Sequence, residues 1–485
     1  MSAALAMQLA ILVPLVGAVV IVLCGRNANL RDGVTLAIAL ALFALVLRVA
    51  LGEDGPVEVT LFELVPGLAI SLHNETLSVL FAVVASGLWI VTHLYAIGYM
   101  RGAEEKHQTR FFACFSIALG AAVGVAFSAN MLTLFIFYEV LTLSTYPLVV
   151  HKEDEKAKRG ARVYLGILLA TSIGLLLPAM IATWAYTGTL DFVPGGVMAG
   201  RVDPAVGALL LVLFMYGIGK AALMPFHRWL PSAMVAPTPV SALLHAVAVV
   251  KAGVFTVLKV SVYLFGLDYL RELWTQELMI GIAAFTMLAA SLVAMQQNNL
   301  KAMLAYSTIS QLSYIVLAAM LASQWAAVGG AMHIVMHALG KITLFFCAGA
   351  IYVATRKTEI SQLDGLGRRM PFTFAAFFLG ALCVIGVPPM GSMWSKFHLV
   401  MGAYDSGYLL AVAVIGVSTL LNIAYLLPPV VRAFLNPPPP GETAAGIREA
   451  PLLCVVPLCF TALACLAIFF LAEPLQQWLF AMFTG

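Results

Sequence analysis

Apolar runs follow one another from end to end of the chain, separated by short polar stretches. Fourteen of them are long enough to cross a bilayer as helices, at about 5–24, 33–51, 75–99, 111–128, 130–150, 162–186, 206–228, 238–262, 276–295, 302–322, 326–354, 371–402, 407–435 and 450–472. The twelfth is interrupted by prolines. Residues 57–72, VEVTLFELVPGLAISL, instead alternate apolar and polar positions around Pro-Gly, which predicts a small extramembrane hairpin. KEDEKAKR at 152–159 reads as a solvated loop, and NPPPPGETAAG at 436–446 as a linker before the last span. The first run lacks a basic leader and a small-residue cleavage site, so it is expected to be a retained span, not a signal peptide.

Composition agrees with this pattern. The 485 residues are 62% hydrophobic and 10% charged, where a soluble domain carries roughly 25% charged residues. The expected fold class is an all-α polytopic membrane protein. Seven cysteines lie inside apolar runs with no CxxC pair, which favours small buried hydrophobes over metal, iron–sulfur or disulfide roles. No glycine-rich dinucleotide motif, P-loop or HExxH occurs, so no cofactor of its own is expected, nor any nucleic-acid partner.

Loop charge sets an orientation. Arg26, Arg31, Arg101, Lys106, Arg110, Lys152, Lys156, Lys158, Arg159, Arg162, Arg228, Arg356, Lys357, Arg368, Arg369, Arg432 and Arg448 fall in one set of alternate loops, and Arg48, Arg201 and Arg271 in the other. Seventeen cations against three place both termini on the extracytoplasmic side.

The remaining six of the 26 basic residues are all lysines within spans: Lys220, Lys251, Lys259, Lys301, Lys341 and Lys396. Glu139, in FIFYEVLTLSTYPL, is the one carboxylate deep in a span. Each such charge costs about 3 kcal/mol at mid-bilayer, so seven would cost about 20 kcal/mol before pairing. That exceeds the net stability of most domains and argues for a function. Lys259, near a span end, reads as a snorkelling side chain without a role, nearly silent on substitution. Lys301 stands at the start of a span, where interfacial anchoring competes with function. For His93 and His398, also at membrane depth, a packed role and an active one both stay open.

In GIGKAALMPFHRW, Lys220 precedes Pro225 by five residues; in VIGVPPMGSMWSKFH, Lys396 follows Pro388 and Pro389. Proline frees a carbonyl and breaks the helix, and broken helices in membranes mark ion sites. The mirrored order suggests an inverted repeat, with helices 4–8 (111–262) and 9–13 (263–435) as units, flanked by 1–110 and 436–485. In HIVMHALGKITLF, His333, His337 and Lys341 recur every fourth residue and share one helix face, drifting only about 40° per step. Zinc ligation by the two histidines lacks a third ligand nearby in sequence, and a proton relay suits imidazoles beside an ammonium better. His245 and Lys251 are six residues apart, about 120° off-face in a straight helix. They can line one path only if that helix is bent or bulged.

The stretches 219–255 (GKAALMPFHRWLPSAMVAPTPVSALLHAVAVVKAGVF), 298–314 (NNLKAMLAYSTISQLSY) and 333–349 (HIVMHALGKITLFFCAG) resemble the antiporter-like subunits shared by respiratory complex I, membrane-bound hydrogenases and Mrp-type sodium/proton antiporters. The similarity covers roughly residues 70–435. Within the family it is most similar to the D-type subunits of Mrp antiporters, by the lysine of AVVKAGVF and by a chain end close after span 14, which leaves no room for a long lateral helix. The resemblance implies fourteen helices with two inverted five-helix repeats, two of them broken. It also implies that Glu139 and Lys220 form the ion pair of the first half-channel, with Lys251 and His245 leading onward. Lys301, His333, His337 and Lys341 would continue the axis to Lys396, a position that is glutamate in some relatives, which leaves open the ion it serves.

The implied protein is an ion-transport subunit, not an enzyme. It would move H⁺, with Na⁺ as the exchanged ion, inside a complex of other membrane subunits in a bacterial plasma membrane. The alternative is a proton-pumping subunit of a redox complex such as complex I or a membrane-bound hydrogenase, which would make it part of a translocase. In either case a Glu139–Lys220 pair acts as a switch: losing its counter-ion, the lysine passes its proton along the chain.

Overall fold

Lipid offers the backbone no hydrogen-bond partners, so uninterrupted apolar segments close their amide groups into helices. The computed structural model describes residues 1–52, 55–65, 67–440 and 446–483. Its spans are α1 (Ala3–Leu23), α2 (Ala28–Ala50), α3 (Thr76–Gly102), α4 (Gln108–Phe127), α5 (Met131–Val149), α6 (Glu155–Thr187), α7 (Pro204–Gly217), α8 (Thr238–Phe265), α9 (Trp274–Met295), α10 (Leu300–Met320) and α11 (Gln324–Thr355). They continue through α12 (Pro371–Ile385), α13 (Ser392–Asp405), α14 (Leu409–Leu435) and α15 (Leu452–Phe470). Twelve of these helices are long and apolar enough to cross a membrane. Two further crossings are broken: α7 with the irregular segment after it, and α12 with α13. The protein is a multi-pass, all-α membrane protein.

Polar residues in the loops start the spans. The side chains of Asn27, Asn130, Asp154, Asp203 and Asn299 accept hydrogen bonds from the free amides of the helices that follow them. The Asp154 cap corrects the reading of 152–159 as a loop: residues from Glu155 onward form the first turns of α6, with their charged side chains still exposed. The hairpin is present as β1 (Glu58–Val65) and β2 (Leu68–His73), antiparallel, with Glu58 opposite His73. Pro66 of its turn, and residues 441–445 of the proline-rich linker, lie outside the described residues. A short helix α16 (Ala472–Phe480) after the last span was not visible in the hydrophobic pattern.

Burial locates the centre. The apolar window of α8 is 100% buried and those of α10 and α11 are 94% buried, whereas that of α2 is 28% buried. The helices carrying the polar motifs therefore form the core, and the N-terminal pair lies at the periphery.

Candidate functional site

The first break begins where α7 stops at Gly217. Lys220 sits inside it, on a tight turn (Gly219–Ala221) that ends with Ala222 at φ +56°. Pro225 lies further along the same irregular segment. Helix α8 seats this turn closely: a side-chain carbon at Gly253 would lie 2.4 Å from the Lys220 carbonyl carbon. Lys220 is completely buried. Its Nζ donates to the Tyr138 carbonyl at 2.8 Å and to Thr142 Oγ1 at 2.6 Å, above the Tyr138 ring at 3.0 Å from the centroid. Glu139 is half-buried one residue away on α5, its Oε1 has no hydrogen-bond partner, and its charge acts on Lys220. The two do not form a direct ion pair in this structure; the ammonium takes neutral oxygens and an aromatic face.

The bulge that His245 and Lys251 require is present. Residues Leu243–Val247 of α8 form a wide π turn, and Ala248 follows at φ −117°, ψ −69°, before regular helix resumes. Lys251, fully buried, donates from Nζ to Nδ1 of His337 on α11. His245 packs against Phe345 with ring centroids 4.6 Å apart, and neither of its ring nitrogens has a partner. The charges of Lys341, Lys301 and Lys251 all act on it.

Along α11, His337 and His333 stack at 5.8 Å between centroids. His333 engages Ser395 Oγ through Nδ1 at 2.9 Å and Gln311 Oε1 through Nε2 at 3.1 Å. Both nitrogens are thus occupied, and among the described residues no three His, Cys, Asp or Glu side chains gather as metal ligands. Lys341 donates to Ser307 Oγ at 2.6 Å, and Ser307 meets the Tyr425 hydroxyl at 2.9 Å. Lys396 lies on α13, just past the second break, which contains Pro388 and Pro389. Its Nζ donates at 2.8 Å to the carbonyl of Ile385, the last residue of α12, and lies 5.0 Å above the Tyr314 ring, on which His333 also stacks. The broken helix thus supplies the carbonyl that holds the lysine.

Lys220, Lys251, His337, His333 and Lys396, with His245 and Lys341 beside them, therefore lie in one buried band between the two breaks. Lys301 stands at its edge: it donates to the Ala236 carbonyl at 2.6 Å and lines a cavity of about 300 Å³ with Lys152, Lys156 and Lys357. His93 lies apart from the band, bonded to the Asp32 carbonyl at 3.0 Å and set edge-on to Phe112. Lys259 corrects the snorkelling reading. It is fully buried, paired with Glu75 at 2.9 Å and bonded to Ser128 O at 2.6 Å. The hydroxyl partners Thr142, Ser307, Ser395 and Thr419, the last accepting from Lys396 Nζ at 3.2 Å, carry no signal in the sequence, because serine and threonine are common in spans and most bond their own helix.

This geometry meets an independent finding. The family described as "NADH:quinone oxidoreductase/Mrp antiporter, TM" matches residues 128–422, more than half of the chain. The chain belongs to that family. A second model, the N-terminus of complex I chain 5, matches residues 67–112. The A/B subunit of a probable K(+)/H(+) antiporter from Rhizobium meliloti (strain 1021) is 33% identical over 413 residues, 83% of this chain but 40% of its own length. The N subunit of the NADH-quinone oxidoreductase of Desulforudis audaxviator is 32% identical over 360 residues, 72% of this chain and 70% of that one. The chain thus spans less than half of the first relative and most of the second. In fold, it superposes on a chain of the Mrp complex from Dietzia sp. DQ12-45-1b with a TM-score of 0.88, covering 100% of this chain and 97% of that one at 23% identity. The buried band lies almost wholly within the family's matched region, and the family includes both antiporter and quinone-oxidoreductase subunits.

Proposed function

We propose that this chain is the proton-translocating subunit, of the Mrp D type, in a multisubunit monovalent cation (Na⁺)/H⁺ antiporter of a bacterial plasma membrane. Both termini face outward, and other membrane subunits of the complex are its partners. The observation that carries the reading is the buried band of lysines and histidines between two broken helices. Three fully buried lysines, Lys220, Lys251 and Lys341, would be prohibitive as scaffolding, because none of them, unlike Lys259, has a carboxylate at ion-pair distance among the described residues. The regions 111–262 and 263–435 act as two half-channels of inverted topology, each centred on its break.

Glu139 is the switch. Half-buried on α5, with Oε1 unpartnered, it can approach Lys220 or turn toward a cation of an adjoining protein in the complex. Approach stabilises the ammonium, and withdrawal leaves it with neutral partners only, so the proton moves on toward Lys251 and His337. Moving one charge across 100 mV takes about 2.3 kcal/mol, within what rearranging one such pair supplies. In proteoliposomes of the complex, Glu139→Ala and Lys220→Ala are each expected to abolish ion transport while the complex still assembles. Normal transport by either variant would refute the axis.

The second reading, a proton-pumping subunit of a redox complex, is favoured by the quinone-oxidoreductase relative that matches over most of its length. It uses the same axis, with energy supplied by electron transfer in partner subunits.

A further inference from the structure

The polar stripe of α11 has a gap. Counting back from Lys341 by fours gives His337, His333, Gly329 and Trp325, a stripe that winds about 40° around the helix at each step. Trp325 lines a surface cavity of about 600 Å³ with Asp268, Arg271 and Asp405, on the face with few cations. At position 329 the stripe has no side chain, and the space is taken from the facing helix α13. A carbon built on Gly329 would lie 2.9 Å from Cβ of His398 and 3.1 Å from the Ser395 carbonyl. His398 is 1% exposed, and its ring lies 5.5 Å from that of Trp325. Ser395, one turn away on the same face of α13, is the residue that holds His333. Only one helical turn, about 6 Å, separates position 329 from His333 along α11.

The hydrogen bonding of His398 fixes how it can act. Its Nδ1 contacts the Trp394 carbonyl at 2.7 Å. A carbonyl only accepts, so Nδ1 carries the proton and Nε2 presents a lone pair. That Nε2 is buried and has no partner. A neutral imidazole with an open, buried acceptor, set between an axial histidine and a polar vestibule, is equipped to take up a proton and release it.

We propose that His398 is the proton relay between His333 and the outer vestibule, filling from α13 the rung that Gly329 leaves empty on α11. The inference rests on the proton-axis reading. The test uses the complex purified through this chain, in proteoliposomes, with His398→Ala, His398→Gln and Lys220→Ala in parallel. Both His398 variants are expected to assemble and to lose transport about 10²-fold, the low end of what a positioned proton-transfer group contributes. Imidazole added on the vestibule side should restore much of the His398→Ala rate, because the ring-sized space lies against Trp325, which lines the open cavity, and should leave Lys220→Ala inactive. A structural role for the ring would not respond to imidazole. Normal transport by His398→Gln, or an assembled His398→Ala complex that imidazole does not recover, overturns the proposal. Normal transport by Lys220→Ala would instead remove the axis reading on which it rests, so the two failures are separable.

Discussion

Lys220 and Lys259 are both fully buried ammonium groups in the protein interior, yet they are held by opposite chemistry. Lys259 has a carboxylate, Glu75, at 2.9 Å, with Ser78 Oγ and the Ser128 carbonyl completing its shell. Lys220 has a carbonyl, a hydroxyl and a ring, and its carboxylate stands off. A closed pair is a structural clamp, while an open one can change partners. Lys259→Ala should therefore lower stability by about 3 kcal/mol, the low end for a broken buried pair, because it leaves Glu75, whose side chain is 10% exposed, without a counter-charge. The double change Glu75→Gln with Lys259→Met should recover most of that loss. Thermal unfolding in detergent measures both, and a silent Lys259→Ala would reinstate the snorkelling reading. Position along the span could not distinguish these lysines, because the partner of Lys259 lies 184 residues away in sequence. A second residue-scale test lies outside the spans. Burial, followed by the charge of Arg110, pushes the His151 imidazole down to about 4. The neutral ring thus stabilises the fold fully above its ordinary value of about 6.5. That contribution is lost as pH falls from about 6.5 to about 4, and amounts to about 3 kcal/mol. His151→Asn should flatten the decline of the unfolding midpoint across that window, and an unchanged slope would count against the assignment.

At the scale of elements, the breaks and the bulge turn scattered residues into a site. Prolines made both breaks legible, and the lysines in and beside them stood out by cost alone. The π turn at Leu243–Val247 left no trace in the sequence, since its residues are as apolar as any other helical turn, apart from His245. Only tertiary packing selects it, by requiring His245 and Lys251 to share the α11 side of α8. The amphipathic α16 was missed for a related reason: it is too short and too mixed to register as a span. The Lys220 turn is held in place by the absence of a side chain at Gly253, whose would-be carbon meets backbone at 2.4 and 2.5 Å. Backbone cannot rotate away as a side chain can, so Gly253→Val must displace either α8 or the turn. The expected cost is about 1–3 kcal/mol by overpacking, together with loss of transport, because Lys220 moves off the Tyr138 carbonyl. Gly281→Ala on α9, where nothing lies within 4 Å, is the control and should leave transport and stability unchanged. Wild-type transport by Gly253→Val would show that the turn has more freedom than its packing implies.

For the whole molecule, the family includes subunits of two kinds of machine, antiporters and quinone oxidoreductases, and the difference between the two readings lies in what would drive the band. An antiporter uses a gradient of one ion to move another, so every component it needs is a membrane subunit. A redox pump needs electron carriers, and these require ligands or dinucleotide-binding loops that this chain's sequence does not offer, so they would reside in partner subunits. Partner content is therefore the property that separates the readings. The complex isolated through this chain from native membranes is expected to show no flavin or iron–sulfur absorbance. Reconstituted in vesicles, it should acidify or alkalinise the lumen when a Na⁺ gradient is imposed, with no electron donor present. Lys220→Ala should abolish that response, tying it to this chain and not to a neighbour. Co-purifying flavin or iron–sulfur centres, with proton movement that begins only when a donor and a quinone are added, would instead establish the redox pump, and the same buried band would then be its proton path.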